Sequence, residues 1–200
     1  MHSHNNRDVR PFEEVAVRYP KDIVLKDSHE AIIRPLEKKD AVLIRDFYTA
    51  LPEKDRWYMP YDMTDPEMLR KWIDGVGKDT VFSIIALSND TIVAHASLHT
   101  RLYGSTQHIG RLHIMVLPAF QHKRLGTWML LDLIQLAMDK GLQDLRADFV
   151  AGIEDAAIDA ALKLDFFKAA MLEDHVMDPK GNRHDMLIMV KRLHKEWSDF

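Results

Sequence analysis

The stretch from His108 to Gly141 constrains the fold more than any other part of the chain. The stretch from about His108 to Leu117 reads as a strand that Pro118 stops. A tight loop follows, Pro118-Ala119-Phe120-Gln121-His122-Lys123-Arg124-Leu125-Gly126. The longest helical pattern of the chain then runs from Arg124 to Lys140. Leu125, Trp128, Met129, Ile134 and Ala137 lie on its apolar side, and Gly141 ends it. A strand that feeds a helix through so short a loop must pack that helix back on its own sheet, which points to a mixed α/β or α+β domain.

The same segment carries chemistry. A loop entering a helix N-terminus presents unpaired backbone N–H groups at the positive end of a dipole, a ready anion site most often used for phosphate. His122, Lys123 and Arg124 add up to three cationic side chains there. The competing reading is an ordinary basic surface loop.

The flanking sequence extends the pattern. Residues 1–28 read as an N-terminal extension interrupted by Pro11 and Pro20, and 29–196 as one domain. Ala31 to Pro35 is a strand. Asp40 is expected to cap a helix whose apolar face is Leu43, Ile44, Phe47, Tyr48 and Leu51. Asp65-Pro66-Glu67 starts a second helix, with Met68, Leu69, Trp72, Ile73 and Val76 on its face and Gly77 as its stop. Strands over 80–87 and 91–100 flank the turn Ser88-Asn89-Asp90. Beyond the long helix come a strand over 145–150, an alanine-rich helix over 155–164, and a hairpin of 167–177 with 184–191 around Asp178 to Arg183.

Composition narrows the function classes. The chain has 200 residues, an apolar fraction of 46% and a charged fraction of 29%, which suits one globular domain and excludes a disordered chain. A net charge of −4 gives no global reason to bind nucleic acid or an anionic membrane, and no stretch approaches the length of a membrane span. The absence of cysteine excludes disulfides, thiolate metal sites and a cysteine nucleophile. Met1 to Arg10 has no apolar segment of a signal peptide, so a cytoplasmic location is expected. Eleven histidines show no HExxH-type spacing, and Met1-His2-Ser3-His4 is too short to be a site, so no metal is expected. Trp197 and Phe200 are expected to pack on the body or on a neighbour.

Gln121 to Gly126, preceded by Val116-Leu117-Pro118, resembles the acyl-CoA signature of the GNAT superfamily of N-acetyltransferases: Gln or Arg, two residues, Gly, one residue, Gly or Ala. Leu164-Asp165-Phe166 stands where that family has Leu-Gly-Phe, and the hairpin Asp174-His175-Val176 to His184 through Met189 resembles its closing strand pair. Tyr19-Pro20 through Ile33-Arg34-Pro35 and Asp40 is similar to the start of GNAT domains in protein lysine acetyltransferases. The resemblance covers about residues 20 to 193. It implies a mixed central sheet of six to seven strands, splayed at the acyl-CoA slot, with about four helices. It also implies that the backbone of Met115 and Val116 pairs with the pantetheine arm and that the N–H groups from Gln121 to Thr127 (with His122, Lys123, Arg124, Leu125 and Gly126 between them) hold the pyrophosphate of acetyl-CoA.

Three departures bear on mechanism. Arg124 replaces the first glycine of the loop, which leaves Gly126 as the motif's glycine. The glutamate that many members carry early in the preceding strand falls by spacing on Gly110 or Arg111, and no carboxylate occurs between Gln107 and Val116. His113 or His108 is then the candidate base, with Arg111 on the same strand face as His113 and suited to an acidic substrate. The competing reading of His113 is a histidine packed in the core. The usual acid, a tyrosine five residues before the phenylalanine of Leu-Gly-Phe, is here Ala161, and no tyrosine follows Tyr103.

Trp57-Tyr58 lies between the first two helices, where the resemblance implies an acceptor wall, with Asp55 or Asp62 available to an amine; the alternative is a core plug. The expected activity is acetyl transfer from acetyl-CoA to a primary amine of a small molecule or protein, and the resemblance admits a homodimer. The alternative is a non-catalytic module of the same fold that binds acyl-CoA or a protein. A nucleotide-binding regulatory domain would use the same loop, but no Walker lysine-serine pair or ribose-binding acid accompanies it.

Overall fold

The computed structural model describes residues 17–75 and 80–193. The expected helix stop at Val76-Gly77, the His2/His4 terminus, Trp197 and Phe200 lie outside these residues. Eight strands form one sheet, β1 (Lys21–Val24), β2 (Glu30–Pro35), β3 (Val81–Ser88), β4 (Thr91–His99), β5 (Ile109–Val116), β6 (Asp144–Val150), β7 (Phe167–Met177) and β8 (Arg183–Arg192). Their spatial order is β1-β2-β3-β4-β5-β6-β8-β7. Every neighbouring pair is antiparallel except β5 with β6, which is parallel.

The helices are α1 (Ala41–Ala50), the single turn α2 (Glu53–Arg56), α3 (Pro66–Asp74), α4 (Leu125–Asp139) and α5 (Asp155–Leu162). Among the described residues none is long and apolar enough to cross a membrane. Alternation along the strands divides the core in two. Phe82, Ile84 and Ala86 of β3 face a layer built with Leu125, Met129, Leu133 and Leu136 of α4. Ile85, between them, faces the other layer, with Ile44, Phe47 and Tyr48 of α1 and Leu69 and Ile73 of α3.

The expected mixed sheet is present, with an extra strand and an extra helix. β1 lies in the expected N-terminal extension and pairs with β2 from Lys21↔Ile33 to Val24↔Glu30. Only Ile23 of its four residues is buried, so the local pattern is too short to announce a strand. The pairing and two ion pairs to α4, Arg18 with Asp139 and Lys21 with Asp132, hold it there. The start of α3 is as expected, the Asp65 carboxylate accepting from the N–H of Glu67 at 2.9 Å with Pro66 in the first turn.

Asp40 does not cap α1 with its side chain. Its carboxylate turns back to β2 and takes both arms of the Arg34 guanidinium, at 2.6 and 2.7 Å, and the Glu37 N–H at 2.9 Å. A bidentate charge pair outweighs one cap bond, because two charge-assisted bonds replace one.

Candidate active site

The parallel strands β5 and β6 pair over only three positions, ending at Arg111↔Arg146. β5 nevertheless continues on β4 to Val116, and β6 on β8 to Val150. The two strands therefore part beyond Arg111 and leave an open slot at their C-terminal ends, where ligands of such sheets bind.

Two bonds fix which backbone groups face the slot. Leu117 donates to the Val93 carbonyl at 2.9 Å and Ala151 to the Asp185 carbonyl at 3.0 Å, so odd-numbered residues of β5 and β6 bond outward, to β4 and β8. Ile114 and Val116 on one side, and Asp148 and Val150 on the other, turn their N–H and C=O groups into the slot. Met115 stands opposite His95, and its backbone belongs to the β4 ladder. Of the expected pair Met115 and Val116, Val116 turns its backbone groups toward the slot, as Ile114 does. The Val116 carbonyl is met by the Gln121 side-chain amide at 3.1 Å, which ties the loop to the strand end.

The loop has the shape of an anion cradle. His122 and Arg124 both adopt left-handed backbone, at φ 59° and 68°, a region that favours glycine. Arg124 thus holds a backbone conformation that ordinarily favours glycine. Among the described residues the N–H groups of Leu125, Gly126 and Thr127 have no backbone acceptor, as the first turn of a helix requires. The Leu125 side chain is buried in the core, so only its N–H is available to a ligand.

Lys123 is committed elsewhere, its ammonium 2.5 Å from Asp27 in the β1–β2 turn, and its carbonyl accepts from the Lys26 N–H. The ammonium of Lys123 holds the Asp27 carboxyl down at about 2. Beside the cradle a cavity of about 340 Å³ is lined by Val24, Lys26, Arg124, Thr127, Trp128 and Leu131. Open strand amides, a free helix N-terminus and two basic side chains at a cavity make a donor set suited to an extended anionic ligand. Relief of the left-handed strain should make Arg124→Gly more stable by about 1 kcal/mol, read as a higher midpoint in thermal unfolding.

On the α1 face of the sheet, β5 presents Arg111, His113 and Met115 opposite His99, Ser97 and His95 of β4. The His113 ring meets the His99 ring edge to face at 5.2 Å. Burial, then the neighbouring His99 and Arg111, push His113 down to about 4, and burial pushes His95 down to about 3. The Tyr48 hydroxyl lies 2.8 Å from His95 Nδ1, and His99 Nε2 lies 3.0 Å from Ser97 Oγ. Arg111, half exposed, donates to Asp148 of β6 at 2.8 Å, and Arg146 reaches the same carboxylate at 2.7 Å. Asp148 thus brings a carboxylate from the adjoining strand to this face, where two guanidiniums hold it. Gly110 points into the core, where an added Cβ would stand 2.6 Å from Leu98 and 2.8 Å from Leu142. Of the two positions that spacing offered for the family glutamate, only Arg111 faces the site.

His108 is not brought to this place. It lies in the turn before β5, at the end of the strand pair away from the slot, with its ring 3.7 Å from Asp144 at the start of β6. Trp57 and Tyr58, at the end of α2, lie beside the β7–β8 hairpin. Trp57 Nε1 donates to the Met177 carbonyl of the hairpin at 2.6 Å. Burial and the carboxylates of Asp178 and Glu154 push the Tyr58 hydroxyl up. Glu154, in the β6–α5 turn, accepts from the Val150 N–H at 2.7 Å, and no sequence motif had singled it out. Among the described residues no group of three or more His, Asp or Glu side chains is arranged to hold a metal ion.

Comparison with known proteins bears on this geometry. Residues 44–166, more than half of the chain, match the model of the acetyltransferase (GNAT) family. The GNAT domain of S. lividans PAT superposes with a TM-score of 0.72 at 15% identity, covering 88% of this chain and 98% of that one. A ribosomal-protein-alanine N-acetyltransferase from Brucella melitensis gives 0.70 at 21% identity over 80% and 99% of the two chains. A Salmonella typhimurium protein described as an acetyltransferase, and solved with acetyl-CoA, gives 0.70 at 21% identity over 84% and 96%. Among proteins with curated descriptions, none matches the sequence.

Proposed function

The chain belongs to the GNAT acetyltransferase family, and from that premise we propose that it moves the acetyl group of acetyl-CoA to a primary amine by direct attack, in the cytoplasm. The observation that carries this reading is the slot between β5 and β6, with the N–H groups of Ile114 and Val116 facing it and the α4 cradle at its end. In this reading Ile114 and Val116 hold the pantetheine arm in strand fashion. The amides from His122 to Thr127 hold the pyrophosphate, and Lys26, Arg124 and Trp128 line the cavity that takes the adenosine end. The Val116 N–H stands where it polarises the thioester carbonyl.

The amine enters from the α1 face, past Trp57 and Tyr58. His113 is neutral there at pH 7, so it accepts a hydrogen bond from the incoming amine and orients it. Its low pKa makes it a poor proton acceptor. Arg111 stands by for an anionic group on the acceptor.

Calorimetric titration with acetyl-CoA, against free coenzyme A and ATP, tests the reading. Binding of both coenzyme A species on the order of micromolar, without ATP binding, is expected. Arg124→Gly should weaken it roughly tenfold through loss of a charge-assisted bond to phosphate. Thiol release with a panel of primary amines then separates a transferase from the alternative of a non-catalytic acyl-CoA-binding module, which binds without turnover. Absence of coenzyme A binding would overturn both.

A further inference from the structure

We infer that Glu154 is the proton-transferring carboxylate of this site, supplied from the end of β6 in place of the glutamate that β5 lacks. This rests on the reading of the chain as an N-acetyltransferase. The geometry starts from the register of the two parting strands. Even-numbered residues of β6 direct their backbone toward β5, and Asp144 does so explicitly, donating to the His108 carbonyl at 3.2 Å. Val150 has the same parity, so its N–H points into the slot. Glu154 Oε2 accepts that N–H at 2.7 Å, which places the carboxylate on the β6 wall of the slot. Continuing the register Arg111↔Arg146 along both strands brings Val150 level with Met115, beside the Val116 amide.

The surroundings suit a proton carrier. Glu154 is half-buried, and burial, followed by the nearby Asp55 carboxylate, raises its pKa above the usual glutamate value, against the pull of the Val150 N–H. The other titratable groups facing it are Tyr58 of the α2–α3 segment, with Asp178 of the hairpin turn beyond. Asp155 is occupied by the Gly152 N–H. Among the described residues no cation draws the Glu154 carboxyl down, whereas Asp148 is paired with Arg111 and Arg146.

The proton balance is then complete. The Glu154 carboxylate takes one proton from the substrate ammonium. The neutral amine attacks, the C–N bond forms and the C–S bond breaks. Protonated Glu154 returns its proton to the departing thiolate, the nitrogen sheds its second proton to solvent, and the products are amide, thiol and H⁺. A single carboxyl thereby covers the roles of the missing glutamate and of the tyrosine replaced by Ala161.

Glu154→Gln keeps an oxygen for the Val150 N–H and removes only the ionisation. Wild type, E154Q and His113→Gln are compared for thermal unfolding, calorimetric binding of acetyl-CoA, and thiol release with amino acids, polyamines and a lysine-containing peptide across pH. The expected E154Q protein unfolds at the wild-type temperature and binds acetyl-CoA within about twofold of wild type. Its kcat falls by about 10²–10⁴, and the acid limb of the kcat profile is lost. His113→Gln lowers kcat less and keeps that limb. Wild-type turnover that survives in E154Q with an unchanged pH profile overturns the role of Glu154 and leaves the transferase reading standing. Acetyl-CoA binding without thiol release from any amine overturns the transferase reading, and the role of Glu154 with it.

Discussion

Asp40→Ala should lower the free energy of unfolding by about 3–5 kcal/mol, the range for breaking a buried ion pair by removing one partner. Asp40 is 2% exposed. Burial alone would raise its pKa, but hydrogen bonds from Arg34 and the Glu37 N–H outweigh burial, and the net direction is down. Alanine would leave the Arg34 guanidinium partly buried with one remaining acceptor, the Pro35 carbonyl at 3.0 Å. It would also cut the tie between β2 and the entry to α1, the helix that carries Tyr48 to His95. Denaturant unfolding of the variant measures the loss, and a change below about 1 kcal/mol would show that the pair is solvated in solution. A double replacement of Arg34 and Asp40 by apolar residues should recover much of the loss, because no unpaired charge remains.

Acid should destabilise the protein well before its carboxylates titrate. His95 and His113 are held at about 3 and about 4 in the fold, by burial first and by their cationic or imidazole neighbours second. In the unfolded chain both titrate near 6.5, so the unfolded state binds the protons first. Their contribution is complete above pH 6.5 and is lost as pH falls from there towards the folded values. Between pH 7.5 and 5.0 linkage gives about 2 kcal/mol for each histidine, hence about 4 kcal/mol for the two. Asp27, Asp40 and Asp178, whose carboxyls are held low, add their own losses only below about pH 4. Urea denaturation at pH 7.5 and 5.0 reads the difference. His113→Gln should remove about half of it; an equal slope in that variant would show that His113 is solvated in the folded protein.

The loop illustrates how far local sequence reaches. A proline-stopped strand, a basic loop and an amphipathic helix were legible because each is set by neighbours within a few residues. Even the left-handed Arg124 was readable as a position that ordinarily requires glycine. Met115 and Val116 show where that reach ends. Alternation assigns their side chains to opposite faces, but which backbone groups face the slot depends on whether β4 or β6 lies on a given edge. Lys123 looked like a phosphate ligand until the β1–β2 turn brought Asp27 against it from almost a hundred residues away. His113 and His108 both stood as candidate bases, although the length of a strand already separates them. Glu154 had no motif, but the fold gives a rule that would have found it: a parallel pair has its ligand site at the C-terminal ends of both strands, so both following turns deserved inspection.

The sequence by itself determined most elements from β2 onward and the strand–loop–helix segment that carries Gln121 to Thr127, because periodicity, proline stops and helix-end chemistry act over a few residues. The tertiary structure decided where β5 and β6 part, that Asp148 answers Arg111, and that Glu154 meets the Val150 N–H at the end of β6. These are consequences of register between strands distant in the chain. Register is set by the packing of whole faces, and no short window of residues records it.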